Sequence, residues 1–247
     1  RTGLASSSAF TVGLIHALRE LHGASLIKRD LARQALFVEQ KVLDEPVGSQ
    51  DQISTAYGGF NRLDFSKNGT FKVTPLPITP QRAADFHSHL MLFYTGVQRN
   101  GWDITKKQIS NLKNKTRELN LIRELVDGAQ EILLSQAPLE DFGTFLHESW
   151  LLKRSLADGI TNPELDSLYI AARTAGATGG KVLGAGGGGF LLLFVPPEKQ
   201  DAVSRTLHRL VRLPFQFETE GSKVIHHSEH QHHAPLPTLH PDLSARI

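Results

Sequence analysis

Three stretches of the chain carry groups suited to chemistry. The first is Gly3-Leu4-Ala5-Ser6-Ser7-Ser8-Ala9, small residues and hydroxyls at the head of a helical pattern. Small residues let backbone amides approach an anion, a helix start adds positive potential, and hydroxyls can coordinate or hydrogen-bond, which suits a triphosphate. A serine-rich helix cap without any ligand is the simpler alternative. The second is Lys181-Val182-Leu183-Gly184-Ala185-Gly186-Gly187-Gly188-Gly189-Phe190. Four consecutive glycines cost conformational entropy. They read as a tight turn or linker, or as backbone pressed against phosphate or against the first loop; a linker would not run straight into an apolar strand. The third is Glu39 with Gly48-Ser49-Gln50-Asp51-Gln52. Two carboxylates there could bracket a Mg²⁺ and a hydroxyl, since Mg²⁺ takes one or two carboxylates plus phosphate oxygens and hydroxyl phosphorylation needs an acceptor for, or a charge orienting, the proton. On spacing alone, Asp51 is equally a helix N-cap.

The elements that must hold these residues follow from periodicity. Ser6 to Leu21 carries an apolar stripe at Phe10, Leu14, Leu18 and Leu21, expected to face the core, with the serines as N-caps. Lys28 to Val42 is a second helix, ended by Pro46-Val47-Gly48, and a short helix restarts near Asp51. Asn61–Ser66 and Thr70–Pro75 form a hairpin around Asn68-Gly69. Pro75, Pro77 and Pro80 make an extended connector and a domain boundary. Beyond it come a strand at Leu90–Tyr94 and helices at Thr105–Leu134, Leu139–Leu156 and Pro163–Ala175, the last started by Asn162-Pro163. Then follow a strand at Phe190–Val195, a helix at Glu198–Val211, and closing strands at Phe215–Phe217 and Lys223–Ile225. This order predicts a split β-α-β sandwich. The expected division is residues 1–76, 77–225, and a polar tail, 226–247, that holds six of the twelve histidines.

Composition removes several function classes. The 247 residues are 40% hydrophobic and 21% charged, enough for a sizeable core. With 27 basic and 25 acidic residues the net charge is +2, too even to suggest nucleic acid or a membrane surface as partner. The absence of cysteine excludes disulfides, thiolate metal sites and a cysteine nucleophile. No apolar run reaches membrane-span length, and a cytoplasmic location is expected. The tail histidines, His226, His227, His230, His232 and His233, lack a rigid element to fix a metal geometry.

Taken as an ordered set, the three stretches resemble the GHMP kinase superfamily, named for galactokinase, homoserine kinase, mevalonate kinase and phosphomevalonate kinase. Gly3–Ser8 resembles its second motif, with Ala5 where Gly is usual; Gly184–Gly189 its third; and Gly48–Gln52 its catalytic-aspartate segment. Within the superfamily the chain is most similar to bacterial D-glycero-D-manno-heptose 7-phosphate 1-kinases, over about residues 3–225. The similarity rests on Gly48–Gln52 leading to Ala56-Tyr57-Gly58-Gly59-Phe60-Asn61 and on Leu92-Phe93-Tyr94-Thr95-Gly96 followed by Arg99. It rests also on Leu146-His147-Glu148-Ser149-Trp150 with Lys153-Arg154, and on Gly179-Gly180-Lys181.

The resemblance implies an α+β, two-domain GHMP kinase fold, with a ribosomal-S5-like α/β N-terminal domain and a ferredoxin-like C-terminal domain. It implies ATP and Mg²⁺ as cofactors and transfer of the γ-phosphate to the anomeric hydroxyl of the heptose 7-phosphate, for nucleotide-sugar and surface-polysaccharide synthesis. Gly3, Leu4, Ala5, Ser6, Ser7 and Ser8, with Gly184, Ala185, Gly186, Gly187 and Gly188, would hold the nucleotide phosphates. Ser7 and Glu39 would bind Mg²⁺, and Asp51 would be the base or the charge orienting the hydroxyl. Tyr57, Asn61 and Arg99 could contact the sugar or its phosphate, with turn, core or surface roles as alternatives. Lys153 and Arg154 are read as a salt-bridged helix face and His147 as structural. Alternatives to the heptose reading are a fucose, galactose or N-acetylhexosamine 1-kinase, or a non-catalytic member binding sugar and nucleotide. The family's first motif has no counterpart here, so a strand-bearing segment ahead of Arg1 is expected.

Overall fold

The computed structural model describes residues 3–97 and 101–226. They form two compact units, the first from Ala5–Leu76 with the chain from Phe217 on, the second from Pro77–Gln216 with the chain up to Leu4.

In the first unit, α1 (Ser6–Leu21) is followed by α2 (Lys28–Phe37), which runs into a π-turn at Val38–Val42, and by α3 (Gln50–Tyr57). A hairpin closes the stretch, β1 (Asn61–Phe65) pairing antiparallel with β2 (Phe71–Pro75) from Asn61↔Pro75 to Phe65↔Phe71. At its tip Gly69 takes a positive φ of 81°, and Asn68 accepts from the Thr70 amide, the asparagine–glycine turn chemistry the sequence predicts. The buried core is Val12, Leu31, Ala32, Ala35, Ile53 and Ala56, and its alanines let the three helices approach closely.

Two expectations for α1 are corrected here. The serines do not cap it: the N-cap is Ala5, held at φ 54° and ψ 23°, with no side-chain capping bond. The apolar stripe is not the core face. Ser8 and Val12 are the buried positions, whereas Phe10 (70% exposed), Leu14, Leu18 and Leu21 lie about the opposite side of the helix, in the open.

The second unit contains α4 (Pro80–Ser88), β3 (Leu90–Tyr94), α5 (Gly101–Asn111), α6 (Thr116–Leu134), α7 (Glu140–Arg154), α8 (Pro163–Thr174), β4 (Gly179–Val182), β5 (Phe190–Phe194), α9 (Gln200–Thr206) and β6 (Val211–Leu213). The strands form one antiparallel sheet in the order β4-β5-β3-β6, which with the helices after β3 and after β5 makes the expected split β-α-β sandwich. Its core gathers Met91, Phe93, Leu191 and Leu193 of the sheet with Trp150, Leu165, Tyr169 and Val203 of the helices and Ile160 of the loop between α7 and α8. Among the described residues no helix is long and apolar enough to cross a membrane.

Several boundaries differ from the sequence reading. The proline connector ends in a helix, α4, because Thr79 caps it by accepting from the Arg82 amide and Pro80 occupies its first turn. The stretch Thr105–Leu134 is two helices, interrupted by a 3-10 turn at Leu112–Asn114. The helix after Glu198 stops at Thr206, which frees Val211–Leu213 to pair with β3 as the closing strand. Phe215–Phe217 and Lys223–Ile225 are not strands. Instead Glu218 accepts from the Gly59 amide at 2.8 Å and Ser222 donates to Thr55 at 3.0 Å. The tail beyond His226 lies outside the described residues.

Candidate functional site

The first unit buries the carboxylate of Glu39. Glu39 sits in the π-turn, where Leu43 donates to the Val38 carbonyl at 2.9 Å, and it is 1% exposed. Such π-turns are frequent at functional sites because they rotate one side chain out of the regular helical register. The Glu39 Oε2 atom accepts from Ser8 Oγ at 3.0 Å and from Gln52 Nε2 at 2.5 Å. Ser8 is in the first turn of α1, Glu39 follows α2, and Gln52 is in the first turn of α3, so three helices converge on this carboxylate. Glu39 Oε1 and Gln52 Oε1 are both buried without a hydrogen-bond partner among the described residues. Burying unsatisfied acceptors of this kind is costly.

Asp51 precedes Gln52 in the first turn of α3 and is exposed, so one helix start presents an inward amide and an outward carboxylate. Ser49, not Asp51, is the residue at the N-cap. Ser6 and Ser7 are exposed, and the Ser7 carbonyl accepts from Thr11 Oγ1 at 3.1 Å. Of the three serines, Ser8 is the one that touches Glu39. At the far end of α3, Lys28 Nζ donates to the carbonyls of Tyr57 (2.9 Å) and Glu220 (2.5 Å), and Asn61 Nδ2 donates to Gly58 O at 2.6 Å. Burial pushes the Tyr57 hydroxyl above its ordinary pKa, so it stays protonated at neutral pH.

The unsatisfied oxygens, Glu39 Oε1 and Gln52 Oε1, with the Ser8 hydroxyl beside them, are the hard donors that a divalent cation such as Mg²⁺ takes. No group of three or more histidine, aspartate or glutamate side chains that could hold a metal occurs among the described residues.

In the second unit the glycine run joins β4 to β5. Glycine is required at several of its positions by space and backbone alike. At Gly184 (φ 67°) a Cβ would lie 2.6 Å from the Cα of Gly3, and at Gly186 (φ 97°) 2.5 Å from the Ile160 carbonyl oxygen. At Gly188 it would collide with the Val97 carbonyl. Gly3, itself at φ 84°, packs in turn on the Leu183 carbonyl. The run is thus a fixed, folded surface and not a linker. Its amides at Gly187 and Gly189 donate to Ile160 O (2.8 Å) and Val97 O (2.9 Å). Lys181, in β4 just before the run, is desolvated enough to lower its ammonium pKa.

Glu39, Ser8 and the helix carrying Asp51 therefore belong to one cluster in the first unit, and Gly3 and Gly184 touch in the second. Arg99 lies outside the described residues. Sequence reasoning passed over Gln52 as a partner of Glu39, and Ser8 as the serine bonded to it. Gln52 carries no periodic or charge signal, and only the packing of α2 on α3 reveals it.

The family profile for the GHMP kinases N terminal domain matches residues 1–59, and that for GHMP kinases C terminal matches residues 132–212. The chain is 31% identical over 229 residues to a D-glycero-alpha-D-manno-heptose 7-phosphate kinase of Campylobacter jejuni, covering 90% of this chain and 66% of the relative. It is 32% identical over 212 residues to a mevalonate kinase of Pyrococcus horikoshii, covering 82% of this chain and 58% of the relative. Among solved structures, a D-glycero-D-manno-heptose 1-phosphate kinase from Bacteroides thetaiotaomicron superposes with a TM-score of 0.70 at 26% identity, covering 89% of this chain and 62% of that one. The chain thus spans about two thirds or less of these proteins' own length.

Proposed function

Because the chain belongs to the GHMP kinase superfamily, we propose that it carries the phosphate-, cation- and hydroxyl-handling residues of a Mg²⁺/ATP-dependent sugar or sugar-phosphate kinase. The observation that supports this most is the buried Glu39 carboxylate, clamped by Ser8 and Gln52 and left with one unsatisfied oxygen. Structural carboxylates in a core are normally fully paired.

In this reading Glu39 holds Mg²⁺, with a serine of the Ser6–Ser8 run as the second protein ligand. The ion, when bound, would offset the negative charge of the nucleotide phosphates. The backbone of Gly3–Ser8 and of Gly184–Gly188 receives the nucleotide phosphates. Asp51, in the first turn of α3, accepts, or orients, the proton of the attacking hydroxyl. Tyr57, Asn61 and Arg99 are assigned to the sugar. Positioning and electrostatics of this kind account for most phosphoryl-transfer catalysis.

For the acceptor, the reading is the anomeric hydroxyl of D-glycero-D-manno-heptose 7-phosphate, in a pathway supplying nucleotide-activated heptose for surface polysaccharide. The support is a heptose-phosphate kinase relative matched over 90% of this chain and a heptose-phosphate kinase among the similar structures. Mevalonate is the second reading, supported by 32% identity to a mevalonate kinase over 82% of the chain. An ADP-release assay of the protein from the full reading frame, with Mg²⁺ and ATP, separates them. The panel is heptose 7-phosphate, unphosphorylated heptose, fucose, galactose, N-acetylhexosamine and mevalonate. Turnover dominated by heptose 7-phosphate supports the assignment. Equal rates on unphosphorylated heptose, or faster turnover of mevalonate, overturn it.

A further inference from the structure

Two side chains to which no part in the site is assigned above, Lys153, expected on a salt-bridged helix face, and Gln108, grip consecutive carbonyls of the glycine run. Lys153 Nζ, near the end of α7, donates to Gly184 O at 2.5 Å, and Gln108 Nε2, in α5, donates to Ala185 O at 3.1 Å. In a trans peptide the C=O and the following N–H point in opposite directions. Holding the carbonyls of Gly184 and Ala185 toward α7 and α5 therefore turns the amides of Ala185 and Gly186 the other way, off the helices. The backbone handedness alternates here: Gly184 and Gly186 have positive φ (67° and 97°), and Ala185 between them is not among the positive-φ residues. Alternation in the sign of φ is the backbone pattern of anion-binding nests, in which successive N–H groups face one concavity. The next amide, Gly187, is already committed to Ile160. The described hydrogen bonds include none from the amides of Ala185 or Gly186.

We propose that Lys153 and Gln108 are positioning residues that fix the glycine run with the Ala185 and Gly186 amides presented to a phosphate-chain anion. Lys153 also supplies a positive charge behind the loop without needing to touch the ligand. The proposal rests on the reading of the glycine run as a phosphate site, and it is independent of whether phosphoryl transfer occurs or to which acceptor. Glycine supplies the flexibility to reach this conformation, and the two helices select it from the many others open to four glycines.

The test is an amide-resolved NMR titration of the full chain with inorganic tripolyphosphate, beside a thermal melt of each variant. In wild type the Ala185 and Gly186 amide resonances move on titration. Lys153→Met weakens binding about tenfold, the effect of losing one charge-assisted hydrogen bond. Lys153→Arg, which keeps a cationic donor, restores most of it. Gln108→Glu, on a partly exposed helix position, puts an acceptor against the Ala185 carbonyl and weakens binding with little change in melting temperature. Wild-type affinity in Lys153→Met, perturbations that miss residues 185 and 186, or no binding by wild type would each overturn the proposal. A protein that binds tripolyphosphate in this way but releases no ADP with any acceptor would defeat the kinase reading and leave this one standing.

Discussion

Substituting alanine at Gly186 tests whether the glycine run is a built surface. The new Cβ would stand 2.5 Å from the Ile160 carbonyl oxygen and 2.9 Å from the Ile160 Cα, both backbone atoms that cannot swing aside. The backbone at φ 97° is itself unfavourable for an L side chain, which costs about 1–2 kcal/mol. Moving the Ile160 carbonyl to make room breaks its 2.8 Å bond from the Gly187 amide. Gly187 is buried, so leaving its amide unsatisfied adds about 1–3 kcal/mol. The sum is about 3 kcal/mol, equivalent to a fall in melting temperature of roughly 6–12 °C for a chain of this size. Gly13 is the control. It lies within α1, and a Cβ there meets nothing within 4 Å. Gly13→Ala should therefore stabilise by about 1 kcal/mol through helix propensity alone. Calorimetric melts of both variants beside wild type check the pair. A Gly186→Ala protein as stable as wild type would show that the run is slack and would refute the steric reasoning.

Three further outcomes follow from the same structure. Ala5→Gly relieves a non-glycine residue held at φ 54° and should raise stability by about 1 kcal/mol in a denaturant titration. If Glu39 holds Mg²⁺ as proposed, the ion should stabilise wild type by about 2.7 kcal/mol at a hundredfold excess over Kd, and Glu39→Gln, which keeps the shape and removes the charge, should abolish that rise in melting temperature while leaving metal-free stability unchanged or higher. His147 Nδ1 and the Tyr169 hydroxyl are hydrogen-bonded at 2.7 Å; burial, then the charge of Arg173, lowers the His147 pKa, and burial drives Tyr169 up to about 12. The unfolded chain then takes up a proton near pH 6.5 that the folded chain resists, so stability falls as pH drops through that value, and His147→Gln should flatten this part of a stability–pH profile.

Local chemistry made much of the fold readable. Helix α1 spans Ser6–Leu21 as its periodicity implies, Asn68-Gly69 makes the hairpin, the β-rich run Leu90–Tyr94 is a strand, and Asn162 caps α8 by accepting from the Leu165 amide at 2.9 Å. What escaped depends on contacts between elements distant in sequence. Strand β4 begins Gly179-Gly180, which has no strand propensity; its pairing with β5 makes it a strand, and α7 lies so close that a Cβ on Gly179 would strike the Gly143 carbonyl. The stripe at Phe10, Leu14, Leu18 and Leu21 has the right period for a buried face, but periodicity does not say which side neighbours cover, and α2 and α3 cover the Ser8–Val12 side. The candidate site divides in the same way. Glu39 and Asp51 were visible as carboxylates at helix ends. That Ser8 and Gln52 converge on Glu39, and that Lys153 and Gln108 hold the glycine run, required the folded chain.

The most direct test of the central assignment is single-turnover phosphoryl transfer by Asp51→Asn beside wild type, with nucleotide affinity measured in parallel. The account predicts a loss of about 10²–10⁴-fold in the transfer rate, the usual contribution of a positioned proton acceptor, with the nucleotide Kd unchanged. A transfer rate equal to wild type would contradict it.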